Sequence, residues 1–129
     1  MAEVKPKNGR YGLGGSKDTD LEGIDDQKYE VFTDTAETND KLKQARDTYP
    51  DYTWFASFTI KDKQGKDVRT LDKEYTVELD QLPSEDSELY YFLDGRAHKF
   101  PHQPGADKNS KKRIKAKLSV GDPPIGTYP

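Results

Sequence analysis

Apolar and polar side chains alternate along three segments of the chain, and this alternation is its clearest structural signal. The segments are Thr53–Lys61, Tyr75–Leu82 and Lys111–Val120. A period of two places successive side chains on opposite faces of a β-strand. One apolar face and one polar face are typical of an antiparallel sheet that packs on one side only. The pattern therefore predicts a β-sheet scaffold.

Turn signals divide the rest of the chain into further short strands and one helix. Gly65 and Asp94-Gly95 mark two tight hairpins. Four more strands are expected over Lys28–Thr33, Asp67–Leu71, Glu88–Leu93 and Arg96–Phe100. A short helix is expected from Thr38, a suitable N-cap, to Thr48. About seven short strands separated by such turns predict an all-β, immunoglobulin-like antiparallel β-sandwich with one short helix and flexible termini.

The hairpin around Gly65 also carries a local resemblance to a known family. Residues 58–71 read FTIKDKQGKDVRTL. This stretch resembles the central hairpin of bacterial immunoglobulin-like domains of the kind found in flagellar hook-capping proteins. The resemblance covers about a tenth of the chain. It implies a strand, a tight turn and a returning strand, and it implies no function.

Composition limits how much of the chain can form a core. Of 129 residues, 31 % are hydrophobic and 35 % are charged, whereas the usual charged share is about 25 %. We therefore expect a flexible Gly/Asp-rich leader over residues 1–26, a β-sandwich domain over 27–120 and a Pro-rich extended tail over 121–129. Cysteine is absent, and no window approaches the ~18 apolar residues of a membrane helix. Neither a signal peptide nor membrane insertion is expected, and the compartment is left open.

The alternating strands also predict the core. Trp54 is the largest apolar side chain and is expected to be buried. Its expected neighbours are the inward residues of the same strands: Phe58, Ile60, Val77, Leu79, Ile114 and Leu118.

Charge is strongly separated along the chain, although the net charge is only −3. Nine acids and one base lie between Asp18 and Asp40, and six bases and no acid lie between Lys108 and Val120. We expect these two blocks to attract each other, within one subunit or between subunits.

The acidic block contains an incomplete calcium loop. Asp18, Asp20 and Glu22 occupy positions 1, 3 and 5 of a loop with glycine at position 6. Position 12 is Tyr29, which is not a calcium ligand. Asp26 could complete an irregular site with these three residues. The alternative is a solvated acidic linker, and no other cofactor is expected.

Two further groups are candidate contact surfaces. Adjacent aromatic residues cannot all point inward on a strand, so an exposed platform is expected among Tyr52, Phe55, Tyr90 and Tyr91; the alternative is a second layer covered by the helix or the leader. A basic stripe is expected on one strand face, formed by Lys111, Arg113, Lys115 and Lys117. Nucleic acid is an unfavourable partner for the stripe because the chain is acidic, with a pI near 5.4. Protection of an edge strand explains such lysines equally well.

Catalytic chemistry has little support in the sequence. His98 and His102 have helical ligand spacing, but Pro101 between them prevents a helix. A hairpin turn accounts for Asp94 more simply than an acid–base role. We therefore expect no enzyme but a non-catalytic binding or assembly module that contacts protein, with a second copy of itself as one candidate, in a surface structure, appendage or virion. The alternative is a carbohydrate-binding module that uses exposed aromatic residues.

Overall fold

The computed structural model describes residues 2–12, 19–33, 40–79, 87–101, 114–121 and 123–128. In these ranges the chain forms eleven strands and one helix, α1, at Asp40–Thr48. The strands are β1 Ala2–Val4, β2 Arg10–Gly12, β3 Thr19–Glu22, β4 Tyr29–Thr33, β5 Thr53–Ala56, β6 Phe58–Asp62, β7 Thr70–Leu79, β8 Glu88–Leu93, β9 Arg96–Lys99, β10 Ile114–Val120 and β11 Ile125–Tyr128.

The strands form three antiparallel sheets. Sheet A has the order β1-β4-β6, sheet B the order β10-β7-β3-β2, and sheet C the order β5-β11-β8-β9. The predicted antiparallel, mostly β architecture with one short helix is confirmed. An immunoglobulin-like sandwich has two sheets, whereas the described residues of this chain form three that do not close. That finer prediction is not confirmed.

Both ends of the chain differ from the expectation of flexible termini. The segment expected to be a loose leader contributes β1, β2 and β3. In these strands Tyr11 lies opposite Leu21, and both side chains are buried. The segment expected to be an extended tail contributes β11, which lies inside sheet C between β5 and β8. Each of these strands has at most four residues, so its stability depends on distant partners rather than on its own composition.

The main core lies where the three sheets meet. Its members are buried apolar side chains from nine strands and the segments beside them: Tyr11, Leu21, Val31, Ala56, Phe58, Ile60, Leu71, Tyr75, Val77, Leu79, Leu89, Phe100, Ala116, Leu118 and Ile125. The Tyr75 hydroxyl donates a hydrogen bond to the carbonyl oxygen of Val120. This bond satisfies the one polar atom of a large buried side chain.

A β-bulge turns Trp54 away from that core. Ile125 pairs with Ala56 but Gly126 pairs with Trp54, so Phe55 is the extra residue on β5. Phe55 and Ala56 consequently pack on the main core. Trp54 points to the other face of sheet C, where α1 lies.

Trp54 belongs to a second, smaller core. It is 5 % exposed and packs with Leu42, Ala45 and Phe92 between α1 and sheet C. The predicted burial of Trp54 is confirmed, but its predicted neighbours are wrong. The predicted neighbours Phe58, Ile60, Val77, Leu79 and Leu118 lie instead in the main core, on the opposite side of sheet C. The side chain of the remaining one, Ile114, lies outside the described residues. The bulge at Phe55 is the cause.

Gly121 joins sheets A and B. Its N–H donates to the carbonyl of Arg69 at 2.8 Å, and its carbonyl accepts from the N–H of Ile60 at 3.0 Å. The N–H of Val68 also donates to the Ile60 carbonyl. A Cβ atom on Gly121 would lie 1.7 Å from the Val68 carbonyl oxygen. Only glycine allows the backbones to approach this closely.

Candidate binding surface

Four tyrosines from α1, β5, β8 and β11 or their flanks converge on one surface of sheet C. We call them the tyrosine patch: Tyr49, Tyr52, Tyr90 and Tyr128. Tyr52 lies at the centre, with its ring centroid 4.6 Å from that of Tyr128 and 5.2 Å from that of Tyr90. Tyr49 approaches the same ring edge-on at 5.0 Å. Tyr128 is 42 % exposed.

The second core supports the patch from below. The Trp54 ring stacks on Tyr52 at 5.6 Å with an angle of 10° between the rings. Its Nε1–H donates to the Tyr49 carbonyl at 3.3 Å. Gly126 lies directly against the indole, because a Cβ atom there would be 2.4 Å from Trp54 Cε3. The patch is therefore held by packed aromatic rings, together with the turn in which the Tyr52 N–H donates to the Tyr49 carbonyl at 3.2 Å.

The phenol at the centre of the patch, that of Tyr52, is held in its neutral form. Burial raises the pKa of the Tyr52 phenol, and the three neighbouring phenols of the patch raise it further. A phenol with a raised pKa keeps its proton at pH 7. The surface thus offers broad apolar rings with neutral hydroxyl groups at their tips.

The sequence placed two of these four residues among its candidates. Tyr52 and Tyr90 lie in the patch, whereas Phe55 packs on the main core. Tyr91 points to the same side as the main core, where it stacks on His98 at 5.2 Å. Tyr49 was not among these candidates. Tyr128 lay in the expected tail, although Ile125, Thr127 and Tyr128 are residue types that favour strands.

The calcium candidates are divided between two places. Asp20 and Glu22 lie on the outer face of sheet B, where Arg10 ion-pairs with both, at 3.7 Å and 2.5 Å. Asp26 instead adds to the negative potential around the Tyr11 phenol, whose pKa is raised mainly by burial. Asp18 lies outside the described residues. Within the described ranges no three His, Asp or Glu residues are arranged to hold a metal ion.

The basic stripe lies partly in sheet B. Lys111 and Arg113 lie outside the described residues. In β10, Lys115 pairs in register with Glu78 and Lys117 with Thr76. On the other side of β7, Asp20 pairs with the same Glu78. The acidic strand β3 and the basic strand β10 therefore flank one strand of a single sheet.

By its sheet topology, the described part of the chain belongs to the class of antiparallel, mostly β proteins, with one helix packed on one face of sheet C. The described part of the chain has no helix long and apolar enough to span a membrane. Comparisons with protein-family models, curated proteins and solved structures found no match.

Proposed function

We propose that this protein is a non-catalytic binding module that assembles with another protein chain through the tyrosine patch. The observation that carries the proposal is the convergence of four tyrosines from separate elements on one supported surface. Tyrosine is enriched at the centres of protein interfaces because its ring buries a large apolar area at little cost in conformational entropy. The rigid support by Trp54 lowers that cost further.

Ring geometry favours a protein partner over the carbohydrate alternative. A sugar ring stacks on the free face of an aromatic side chain. Here the face of Tyr52 is covered by Tyr128, since the two rings are 4.6 Å apart at an angle of 28°. Tyr49 and Tyr90 meet Tyr52 at 64° and 81°, so the patch is not a coplanar platform. A protein surface can use ring edges and hydroxyl groups together and therefore needs no coplanar platform.

A second copy of the chain is the partner to test first. Sedimentation velocity at increasing protein concentration should show a growing assembly for the wild type and a monomer for Tyr128→Ser. The control is Tyr29→Ser, a half-buried tyrosine of β4 outside the patch. Tyr128→Ser should melt close to the wild type, because Tyr128 is the most exposed member of the patch. Tyr29→Ser removes a ring that packs on the main core, so its melting temperature should fall while its assembly stays like that of the wild type.

The salt dependence of assembly distinguishes a contact through the tyrosine patch from a contact through the charge blocks. At 1 M salt the screening length falls to about 3 Å, so a contact through charge blocks should dissociate and a tyrosine contact should persist. A wild-type monomer at every concentration excludes self-assembly. Equal assembly of Tyr128→Ser and wild type contradicts the role of the patch.

A further inference from the structure

A cavity of about 180 Å³ opens beside the turn that leads into β4, and both sheet A and sheet B contribute to its walls. Its apolar lining comes from Val4, Pro6 and Val31, and its aromatic lining from Tyr11 and Tyr29. The register of sheet A places Val4 directly opposite Val31, so one side of the cavity is built on paired strands. The described lining residues include none from sheet C, which carries the tyrosine patch.

A buried phenol lines this cavity. The Tyr11 side chain is 3 % exposed, and its hydroxyl group makes no hydrogen bond to another described residue. Buried polar groups normally have a hydrogen-bond partner. The Tyr11 hydroxyl is therefore available to a ligand in the cavity, from which it can accept a hydrogen bond.

Asp26 adds a carboxylate to the cavity wall. It is exposed and belongs to a turn in which the N–H groups of Lys28 and Tyr29 donate to the Asp25 carbonyl at 3.0 Å and 2.9 Å. Asp26 makes no ion pair with another described residue. Burial is the main cause of the raised pKa of the Tyr11 phenol, and the charge of Asp26 is the next cause. The carboxylate and the phenol are thus close enough to interact.

The other four charged side chains of the lining form two ion pairs. Lys5 Nζ lies 2.8 Å from Glu3 Oε1, and Lys63 Nζ lies 3.7 Å from Glu30 Oε1. Each pair has no net charge. The carboxylate of Asp26 is consequently the excess charge of the lining, and the cavity is net negative.

We propose that this cavity binds a primary alkylammonium group, such as the end of a lysine side chain or a free amine. An ammonium group has three N–H donors, and the Tyr11 hydroxyl and the Asp26 carboxylate provide two acceptors for them. Hydrogen bonds between ionised groups are about twice as strong as neutral ones, so Asp26 selects a cation over a neutral alcohol. The apolar lining of Val4, Pro6 and Val31 accommodates a short alkyl chain. The proposal is independent of the tyrosine patch.

Butylammonium is the appropriate probe, because it reproduces the end of a lysine side chain. It is titrated into the ¹⁵N-labelled protein at neutral pH and constant ionic strength, and NMR chemical shifts are followed. A ligand of this size, with the efficiency per atom of a small fragment, binds with a Kd of about 1–10 mM. Saturable shifts should be confined to the cavity. Two analogues should each bind about tenfold more weakly: 1-butanol, which lacks the charge, and butyltrimethylammonium, which lacks the N–H donors.

Two variants test the groups that hold the ammonium. Asp26→Asn keeps the size of the side chain and removes its charge, so it should weaken butylammonium about tenfold. Tyr11→Phe removes only the hydroxyl and should weaken butylammonium about fivefold. Its melting temperature should stay near that of the wild type, because no hydrogen bond to another described residue is lost. Asp51→Asn is the matched control, since Asp51 is an exposed aspartate of another turn, outside the cavity.

Tyr128→Ser should leave butylammonium binding unchanged, which keeps this test separate from that of the tyrosine patch. Nα-acetyl-lysine methylamide distinguishes the two sources of the ammonium group: binding as tight as that of butylammonium assigns the cavity to lysine side chains, and much weaker binding assigns it to free amines. The absence of saturable shifts up to about 100 mM, well above the expected Kd, overturns the proposal. Equal binding of 1-butanol overturns the role of the charge, and equal binding of butyltrimethylammonium overturns the hydrogen bonds. Equal losses for Asp26→Asn and Asp51→Asn overturn the site.

Discussion

Gly121→Ala tests the backbone link between sheets A and B. The added Cβ would lie 1.7 Å from the Val68 carbonyl oxygen and 2.9 Å from its carbon, where ordinary contacts begin at 3.4 Å. Both atoms are backbone, so no change of rotamer relieves the overlap. Either residue 121 or the chain at Val68 has to move. That movement stretches the two hydrogen bonds that Gly121 makes to Arg69 and Ile60.

The cost has two parts. Overpacking at a buried position costs about 1–3 kcal/mol, and each lost hydrogen bond costs about 0.5–1.5 kcal/mol. We therefore expect a loss of about 2–6 kcal/mol from a total stability of about 5–15 kcal/mol. At about 3–5 °C per kcal/mol for a domain of this size, the Tm should fall by about 6 °C or more.

Two other glycines provide matched controls in the same calorimetric assay. In Gly12→Ala the new Cβ is 3.9 Å from its nearest neighbour, Asp20 Oδ1, and we expect a change within about 0.5 kcal/mol. In Gly65→Ala there is open space but φ is +83°, so only the backbone strain of about 1 kcal/mol remains. If Gly121→Ala melts together with Gly12→Ala, the close approach of Gly121 to Val68 is wrong, and so is the link that it forms.

Three further changes test the second core, a buried hydroxyl and an exposed ion pair. Trp54→Ala should cost about 3–5 kcal/mol by thermal melt; an unchanged Tm with lost partner binding would instead place the indole on the contact surface. Thr127→Val should leave stability equal or raise it by about 1 kcal/mol in urea unfolding, because the hydroxyl is fully buried with no hydrogen-bond partner among the described residues; a clear loss would reveal a partner. The hydrogen bond from Lys28 lowers the pKa of Asp72 in the folded protein. The Asp72 carboxylate therefore stabilises the fold at pH values above its unfolded-state pKa of about 4. This contribution is lost as the pH falls through the lowered pKa of the folded state. Asp72→Asn should therefore be less stable than wild type at pH 7 and equal to it at low pH, and a difference that does not change with pH would contradict the pair.

Local sequence pattern predicts the strands that carry their own alternation. The predicted segments Glu88–Leu93 and Arg96–Phe100 correspond to β8 and β9, and the two hairpin turns have the positive φ that Gly65 and Gly95 supply. The helix was expected to start at Thr38, which lies outside the described residues, and it ends at Thr48 as expected. These features depend on neighbouring residues alone.

Features set by distant partners could not be predicted in this way. The stretch Thr53–Lys61 was predicted as one strand with Trp54 and Ala56 on the same face, as strict alternation requires. The bulge against β11 places them on opposite faces. Because β11 lies some 70 residues away in sequence, no local pattern contains this information. The tyrosine patch also depends on β11, and Tyr128 was not among its predicted members because residues 121–129 were expected to form an extended tail.

The strands that carry the two charge blocks lie in the same sheet. They were expected to attract each other within or between subunits. In sheet B, β3 and β10 flank β7, and Glu78 of β7 pairs in register with Asp20 on one side and Lys115 on the other. Glu78 is fully buried and lies 3.5 Å from Arg10, and a buried carboxylate requires such positive neighbours. The described ion pairs of the acidic strand β3 are with Arg10 of β2, at Asp20 and Glu22, whereas the tyrosine patch lies on sheet C. An assembly through sheet C would leave these charges to stabilise the order of the strands in sheet B.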